Sequence, residues 1–313
     1  MQILYWKIPE KLKDELESHY KTNLSHKIEN SNPMDIIHQI TFDNAAPNLS
    51  LKQVRSFIDF VNKKIIQNKI TGVGLEVGSG PGTFTALLSE VDNVAKIYGV
   101  EACSAIVEDL MPKVTKYIVK DVNRDKIYGC VGDFDNIELP DNSVDFIFDF
   151  FSLHHSENLS ETSKELYRVL KPGGVVVCFD KARDDKLTDD DLETLLDIEY
   201  PEKVKINMGL DPKKSHTRRM NGEKEYRLKD WRKVFLNSNF AKFEHFHVAR
   251  TLSRNKAINI LKNIFSKLPP RFQTYFTKFL TLKSTNNMSS SGRIYTKLIK
   301  DFPKEISLMV AYK

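Results

Sequence analysis

The sequence predicts an α/β protein in which a mostly parallel sheet carries helices on both faces. Short apolar segments that favour strands alternate with segments of helical character, and a glycine-rich turn follows the first strand. This alternation is typical of parallel strands joined by helical crossovers. Five strands are expected at residues 72–78, 95–101, 126–133, 144–151 and 174–180, and two more at 241–249 and 306–312 give a seven-stranded sheet.

The residues before this sheet favour helices. Between residues 51 and 67, apolar side chains recur at steps of three and four, which places them on one face of a helix. These side chains belong to Val54, Phe57, Ile58, Val61 and Ile65. We therefore expect an N-terminal helical cap over residues 1–68 and a core domain over residues 69–313.

The composition is that of a water-soluble folded protein. Hydrophobic residues make up 41% and charged residues 28% of the 313 residues. No apolar run approaches the ~18–20 residues that span a membrane, and the opening residues do not resemble a secretory signal. Cys103, Cys130 and Cys178 form no CxxC pair, which argues against a disulfide framework or a zinc site. These features predict a cytoplasmic location.

Charge is distributed unevenly along the chain. The formal net charge is +5, yet residues 245–300 contain eleven Lys and Arg and no Asp or Glu. We expect a basic helical insertion over residues 252–303, and a polar insertion, either a cap or a mobile loop, over residues 182–228. Apolar side chains fall at helical spacing in the basic segment at Ile258, Leu261, Ile264, Phe265, Phe276, Phe279 and Leu280.

Three interpretations of residues 256–283 remain open. Interleaved basic and apolar side chains can lie on an anionic membrane surface, which would make the protein peripheral to the inner membrane face. They can also cover an anionic substrate, or form a solvated lid whose apolar face packs on the core. No binding motif favours nucleic acid.

The glycine-rich turn carries the most specific information. Residues 74–82 read Gly-Leu-Glu-Val-Gly-Ser-Gly-Pro-Gly, with Glu76 two positions before Gly78. These glycines let the backbone turn sharply and let a ligand approach bare amides at the start of the next helix. A dinucleotide-binding fingerprint would place glycine three positions after Gly80, where Thr83 stands. The carboxylate of Glu76 suits a ligand with a positive group, such as an amino acid.

This motif and the acids that follow it resemble the class I S-adenosylmethionine-dependent methyltransferases over about residues 70–182. The resemblance implies a Rossmann-like fold and S-adenosyl-L-methionine as cofactor. Glu76 would face the ammonium group, Glu101 would hold the ribose hydroxyls, and Asp133 would bind the adenine amino group beside Phe134. The expected cofactor-binding residues are Glu76, Gly78, Ser79, Gly80, Gly82, Glu101, Ala102, Asp133, Phe134 and Phe150.

Two histidines follow the fourth predicted strand. His154 or His155 can act as a general base, or the Leu-His-His segment only shapes the pocket wall. Asp149, on the same strand, faces either the cofactor or the sheet interior. His245 and His247 alternate along a strand, and because no third ligand is apparent we expect no metal site.

These features predict a methyltransferase that acts on a small molecule, with O-methylation of an anionic or sugar-like acceptor favoured. Arg218 and Arg219 are candidates to hold an anionic group. Two alternatives remain open. One is a membrane-surface methyltransferase that acts on a lipid, a quinone or a lipid-linked glycan, and the other is a non-catalytic scaffold that retains the fold.

Overall fold

A nine-stranded sheet runs through the part of the chain that the structure, a computed structural model, describes: residues 1–10, 12–13, 51–207, 210–250, 280–284 and 306–313. The strands are β1 (Gln2–Tyr5), β2 (Gly72–Val77), β3 (Val94–Glu101), β4 (Ile127–Val131), β5 (Val144–Phe150), β6 (Leu170–Lys181), β7 (Lys242–Arg250), β8 (Leu280–Ser284) and β9 (Ile306–Tyr312). All seven predicted strands are present. Strands β1 and β8 extend the sheet at its two edges.

The sheet is mostly parallel, as predicted. Its order is β1-β4-β3-β2-β5-β6-β9-β7-β8, and the pairings from β1 to β6 are parallel, whereas the last three are antiparallel. Strand β2 lies in the middle, with Glu76 opposite Gly99 on one side and Phe148 on the other. The carboxyl ends of β2 to β6 therefore meet at one edge, where parallel sheets bind their ligands.

Helices cover both faces of the sheet. They are α1 (Leu51–Phe60), α2 (Thr83–Ser89), α3 (Met111–Ile118), α4 (Asp121–Arg124), α5 (Leu159–Val169), α6 (Asp189–Leu196), α7 (Glu202–Asn207) and α8 (Leu228–Asn237). One apolar cluster joins α1, α2 and α3 to Phe146 and Phe148, and a second joins α5 and α8 to Ile147. Neighbouring residues of β5 thus face opposite layers, as the alternation of side chains along a strand requires.

The expectation that residues 1–68 are helical is wrong for the first few residues. Gln2–Tyr5 is strand β1, which pairs in parallel with β4. Ile3 and Leu4 pack against different apolar clusters on opposite faces of the sheet, which is the period of a strand and not of a helix. The predicted helix before the sheet is present as α1, which continues into a π-helical turn, Val61–Ile65.

Both predicted insertions contain ordered structure. In residues 182–228, α6 begins with a capping box formed by Thr188 and Asp191 and α7 follows it, so this segment contains helices and is not a loop throughout. In residues 252–303, Leu280–Ser284 forms strand β8 on the free edge of β7, although the spacing of its apolar residues predicts a helix. The pairing that the edge of β7 offers outweighs the local spacing. The rest of the basic segment lies outside the described residues.

Candidate active site

The turn between β2 and α2 holds three glycines in the left-handed region of the backbone. The φ angles of Gly78, Gly80 and Gly82 are 60°, 50° and 77°, which residues with a Cβ rarely adopt. A Cβ added to Gly78 would lie 2.2 Å from the Cβ of Ser152. A Cβ added to Gly80 would meet no described atom within 4 Å beyond its chain neighbours. The turn is therefore closed by packing at Gly78 and open at Gly80.

The carboxylate of Glu101 binds this turn from the end of β3. Its Oε2 accepts a hydrogen bond of 3.1 Å from the amide of Gly80, and its Oε1 accepts one of 3.0 Å from the amide of Cys103. Burial raises the pKa of Glu101, and the hydrogen bonds from these amides oppose that rise. Glu101 therefore fixes the open side of the turn, with Ala102 directly after it.

Glu76 lies in the interior of β2 and is 1% exposed. Its Oε2 accepts a hydrogen bond from the hydroxyl of Thr85, and burial raises its pKa to about 8. The carboxyl group is therefore largely protonated at neutral pH. In the same turn, the buried hydroxyl of Ser79 has no hydrogen-bond partner among the described residues.

Asp133 and Phe134 follow β4 at the same edge. Oδ1 of Asp133 accepts a hydrogen bond of 2.9 Å from the amide of Asp135, so the side chain of Asp133 caps a turn. Partial burial raises the pKa of Asp133. The amide of Gly132 donates to the carbonyl of Glu101 at 3.0 Å, which ties this loop to the end of β3.

Phe150 ends β5 beside the helix that follows the glycine turn. Its ring centroid lies 4.2 Å from that of Phe84 in α2 and 6.2 Å from that of Phe179 in β6. Phe150 is half-buried and packs on the apolar cluster beneath α1 and α2. The predicted cofactor residues thus occupy the carboxyl ends of β2, β3, β4 and β5.

His154 is buried behind the carboxyl end of β5, at 1% exposure. Its Nδ1 lies 2.7 Å from Oδ1 of Asp180, and its amide donates to Oδ2 of the same residue at 3.0 Å. Burial lowers the pKa of His154 well below its usual value and raises the pKa of Asp180 to about 7. A neutral imidazole in this position keeps a fixed orientation through Asp180.

His155 is the exposed member of the pair. Its ring centroid lies 4.2 Å from that of His154, which in turn lies 4.8 Å from the ring of Phe151. The hydroxyl of Ser152 donates to the carbonyl of Gly78 at 2.9 Å, so the loop that carries both histidines is bonded to the glycine turn.

Asp149 faces the interior of the sheet, which resolves the alternative left open by the sequence. Its Oδ1 accepts hydrogen bonds from the amides of Ser152 and Leu153. Its Oδ2 accepts a hydrogen bond of 3.0 Å from the thiol of Cys178. Asp149, Cys178 and Asp180 bring three possible metal-ligating atoms within 4.8 Å of one another. Burial and the charge of Asp180 raise the pKa of Asp149 well above its usual value. The sequence did not reveal this cluster, because its members come from two different strands.

A buried charge cluster, comprising Lys181, Arg183, Arg218, Glu223 and Glu225, joins β6 to the cap. Lys181 Nζ bonds Glu223 at 2.5 Å and Glu225 at 3.2 Å, while Arg183 and Arg218 both donate to Glu225. The sequence analysis did not predict this charge cluster. A signal was nevertheless present, since basic residues alternate at positions 181 and 183 and acidic residues at 223 and 225.

The two arginines expected to hold an anionic group already have carboxylate partners. Arg218 donates to Glu225 at 3.0 Å, and Arg219 donates to Asp197 at 2.8 Å and to Glu193 at 2.9 Å. Both guanidinium groups are therefore already engaged in ion pairs with carboxylates of residues 182–228.

A cavity of about 480 Å³ lies away from these residues. It is lined by Met1 and by residues between 112 and 125, which precede β4, so it opens at the amino end of the sheet. Because ligands of parallel sheets bind at the carboxyl ends, the glycine turn, and not this cavity, is the candidate site.

His245 lies on β7 and is buried, whereas the side chain of His247 is outside the described residues. None of the helices in the described ranges combines the length and the apolar character needed to cross a membrane.

Residues 75–178 match the family model described as a methyltransferase domain. The chain is 32% identical over 110 residues to a demethylmenaquinone methyltransferase of Staphylococcus saprophyticus, a match that covers 35% of this chain and 44% of that protein. It is 29% identical over 99 residues to a sterol 24-C-methyltransferase of Aspergillus fumigatus, covering 32% of this chain and 24% of that protein. Each match thus spans less than half the length of the curated relative.

Two solved structures of phosphoethanolamine N-methyltransferase 2 from Haemonchus contortus share the fold, with TM-scores of 0.51 and 0.52 at 14% and 13% identity. Each covers 96% of this chain and 60% of the other. One contains S-adenosyl-L-methionine, and the other contains phosphomonomethylethanolamine and S-adenosylhomocysteine. The family match confirms the resemblance to a methyltransferase domain for residues 75–178, and the likeness to these solved structures confirms the fold.

Replacing Glu225 with Gln tests whether one carboxylate holds the charge cluster together. Burial opposes the ionisation of Glu225, but the hydrogen bonds from Arg183 and the charge of Lys181 outweigh it and lower its pKa to about 2. This group therefore stabilises the fold above its ordinary pKa of 4.5, and the contribution is lost as pH falls toward 2. We expect E225Q to lower the free energy of unfolding at pH 7 by about 3–5 kcal/mol in urea denaturation.

The matched control is Glu161→Gln, which removes a carboxylate that pairs with Lys164 at the surface and is 62% exposed. Such a pair contributes at most about 1 kcal/mol. The difference between the wild type and E225Q should shrink as the pH is lowered from 4.5 toward 2. A loss in E225Q no larger than that of the control would show that the cluster does not depend on this carboxylate.

Proposed function

We propose that this chain transfers the methyl group of S-adenosylmethionine to a small-molecule acceptor. The observation that carries the proposal is the open left-handed turn at Gly80, whose amide donates to Glu101. A ligand can lie against bare backbone there, and the carboxylate of Glu101 suits a ribose diol because each of its oxygens can accept a second hydrogen bond beside the one from a backbone amide. The unpartnered hydroxyl of Ser79 adds a polar group to the same turn.

The other groups at this edge match the chemistry of the cofactor. Glu76 would meet the ammonium group directly or through water, and the amides of the glycine turn would bind the carboxylate end. Asp133 would accept a hydrogen bond from the adenine amino group, and Phe134 would lie against the adenine ring. Ala102 and Phe150 would line the site between these ends. When bound, the cofactor supplies a methyl group that its sulfonium centre has already activated.

The contribution of the chain is then mainly to orient the acceptor and exclude water. Orientation alone can lower a barrier by ~7–11 kcal/mol. A base is needed only when the acceptor must lose a proton. We propose His155 for this role because it is exposed in the turn that follows β5, whereas His154 is buried and is held by Asp180.

We propose a hydroxyl group as the methyl acceptor, since an exposed histidine suits O-methylation of a sugar-like or other hydroxylated molecule. The ion pairs of Arg218 and Arg219 do not favour the anionic acceptor that the sequence suggests, because both guanidinium groups already bind carboxylates. Recognition of an anion by these residues would first require those pairs to open.

A lipid or quinone acceptor at a membrane surface is the second candidate. The curated relatives include demethylmenaquinone and sterol methyltransferases, whose acceptors are apolar. The basic and apolar residues of segment 256–283 suit an anionic surface. This candidate places the active site beside a bilayer, with the same cofactor turn.

One assay separates these functions. The protein is incubated with radiolabelled S-adenosylmethionine and, in turn, a metabolite extract, demethylmenaquinone, a sterol and phosphoethanolamine. Transfer to a water-soluble hydroxyl compound supports the first candidate. Transfer to quinone or sterol, together with sedimentation on anionic phosphatidylglycerol vesicles at low salt, supports the second. Cofactor binding without transfer to any of them would leave only a scaffold role.

Gly80→Ala tests the cofactor turn directly. A methyl group at this position meets no described atom, so it enters only the space that a ligand would occupy. The matched control is Gly173→Ala, because Gly173 also has a positive φ, 79°, and open space around its Cβ position, but lies at the start of β6. We expect both variants to lose about 1 kcal/mol of stability, and only G80A to bind S-adenosylmethionine at least tenfold more weakly by calorimetry.

Equal cofactor affinity in G80A and G173A would contradict the assignment of the site. An absence of binding heat in the wild type would remove the proposed function altogether.

Proton release on cofactor binding tests the role of Glu76. Its pKa of about 8 means that the carboxyl group holds a proton at pH 7. A bound ammonium group favours the ionised form and lowers that pKa, so binding should release a proton and strengthen as the pH rises from 6 to 8. We expect calorimetry at pH 7 in two buffers of different ionisation enthalpy to reveal this release in the wild type.

Glu76→Gln is the control, because it keeps the shape of the side chain and removes its titration. Any proton released by the cofactor itself persists in E76Q, so the difference between the two proteins measures Glu76. Identical proton release in both would show that Glu76 does not meet the ammonium group.

Replacement of each histidine with Gln separates their roles. With the acceptor found above and saturating cofactor, we expect H155Q to lower kcat by about 10²–10⁴-fold and to abolish the acidic limb of the pH–rate profile. H154Q should reduce stability, because it breaks a buried contact with Asp180. Unchanged turnover in both variants would exclude a histidine base.

A further inference from the structure

Strand β1 brings a tryptophan to the edge of the sheet where the cofactor residues lie. It pairs in parallel with β4, so that Tyr5 stands opposite Val131. The pairing continues one residue further, since the amide of Trp6 donates to the carbonyl of Val131 at 2.8 Å. Because both strands run in the same direction, Trp6 lies just past the carboxyl end of β4.

The indole of Trp6 lies directly against Gly132. A Cβ added to Gly132 would come within 2.8 Å of Cε3 and 3.1 Å of Cβ of Trp6, so this close approach requires glycine. Gly132 immediately precedes Asp133 and Phe134, the pair expected at the adenine. Trp6 and Phe134 are both half-buried and pack against the same apolar cluster.

The backbone on each side of the indole is fixed. Before it, the amide of Trp6 is bonded to β4, and after it the amide of Lys7 donates to Oε1 of Glu138 at 2.8 Å. With its ring packed against Gly132, the indole is therefore held in this position. Preorganised aromatic rings lose little entropy on binding, which makes them effective platforms for a purine.

We propose that Trp6 is a binding residue for the nucleoside end of the cofactor, forming an aromatic wall beside Asp133 and Phe134. This inference rests on the proposed function, since it concerns the same site. It assigns a binding role to a residue that precedes the methyltransferase domain by about seventy positions. A ligand with an adenine ring contacts this wall whether or not it carries the amino-acid end.

The chain contains two tryptophans, which makes the test direct. Trp231 is 0% exposed in the core under α8, and its Nε1 donates to the carbonyl of Lys181 at 2.8 Å. The intact protein and the variants Trp6→Phe and Trp231→Phe are titrated with S-adenosylmethionine and with methylthioadenosine, which lacks the amino-acid end. We expect both ligands to change the tryptophan emission of the wild type and W231F, and neither to change that of W6F.

Affinity is measured separately by calorimetry. Base stacking on an aromatic side chain typically changes affinity by about 5- to 150-fold, so we expect Trp6→Ala to weaken both ligands within that range. Tyr5→Ala is the matched control: Tyr5 lies on the same strand, is 66% exposed, and contacts Glu108 instead of the loop after β4. Its cofactor affinity should match the wild type.

The role of Trp6 and the proposed function can be overturned separately. If the wild type binds S-adenosylmethionine but W6F keeps the full emission change, the role of Trp6 is overturned and the proposed function stands. Should W6A bind both ligands as tightly as Y5A, the conclusion is the same. A wild type that gives no binding heat overturns both. If W6A does not fold, the emission of W6F decides, because phenylalanine preserves the apolar contact.

Discussion

The arrangement of the carboxyl edge depends on one carboxylate, that of Glu101. It bonds the amide of Gly80 with one oxygen and the amide of Cys103 with the other, and so joins the end of β3 to the turn after β2. This contact requires the parallel register of the two strands, which brings their ends level, and the left-handed backbone at Gly80. The loop after β4 is added through the amide of Gly132, which donates to the carbonyl of Glu101. The shape of the glycine turn and of the strand ends beside it is thus set by the fold itself.

The part of the site built on backbone could be predicted from the sequence. Glycine at positions 78, 80 and 82 demands a special turn, and Glu101 follows a strand whose apolar pattern is clear. Both are local signals, because they depend on backbone conformation and on the alternation of short strands with helices. For the same reason all seven predicted strands are present. The two strands that were missed, β1 and β8, are short edge strands whose formation depends on a neighbour far away in the chain.

The contacts that sequence reasoning could not supply join residues distant in the chain. His154 meets Asp180, 26 positions away, and Arg183 meets Glu225, 42 positions away. Trp6 reaches Gly132 only because β1 pairs with β4. No local pattern specifies such pairs, and each buried ion is acceptable only because its partner is present. Arg218 and Arg219 illustrate the difficulty, since as isolated residues they resemble an anion site, whereas in the fold each already donates to a carboxylate.

The edge is therefore divided into two chemically different halves. Toward β2, β3 and β4 it offers backbone amides and isolated carboxyl groups, which suit S-adenosylmethionine. Toward β5 and β6, Lys181, Arg183 and Arg218 share the two carboxylates of Glu223 and Glu225, which belong to residues 182–228. Drawing a cation out of such a buried pair costs several kcal/mol, so an anion would have to compete with these carboxylates. Recognition of an acceptor on this half would therefore rest on groups outside these ion pairs, such as the exposed His155.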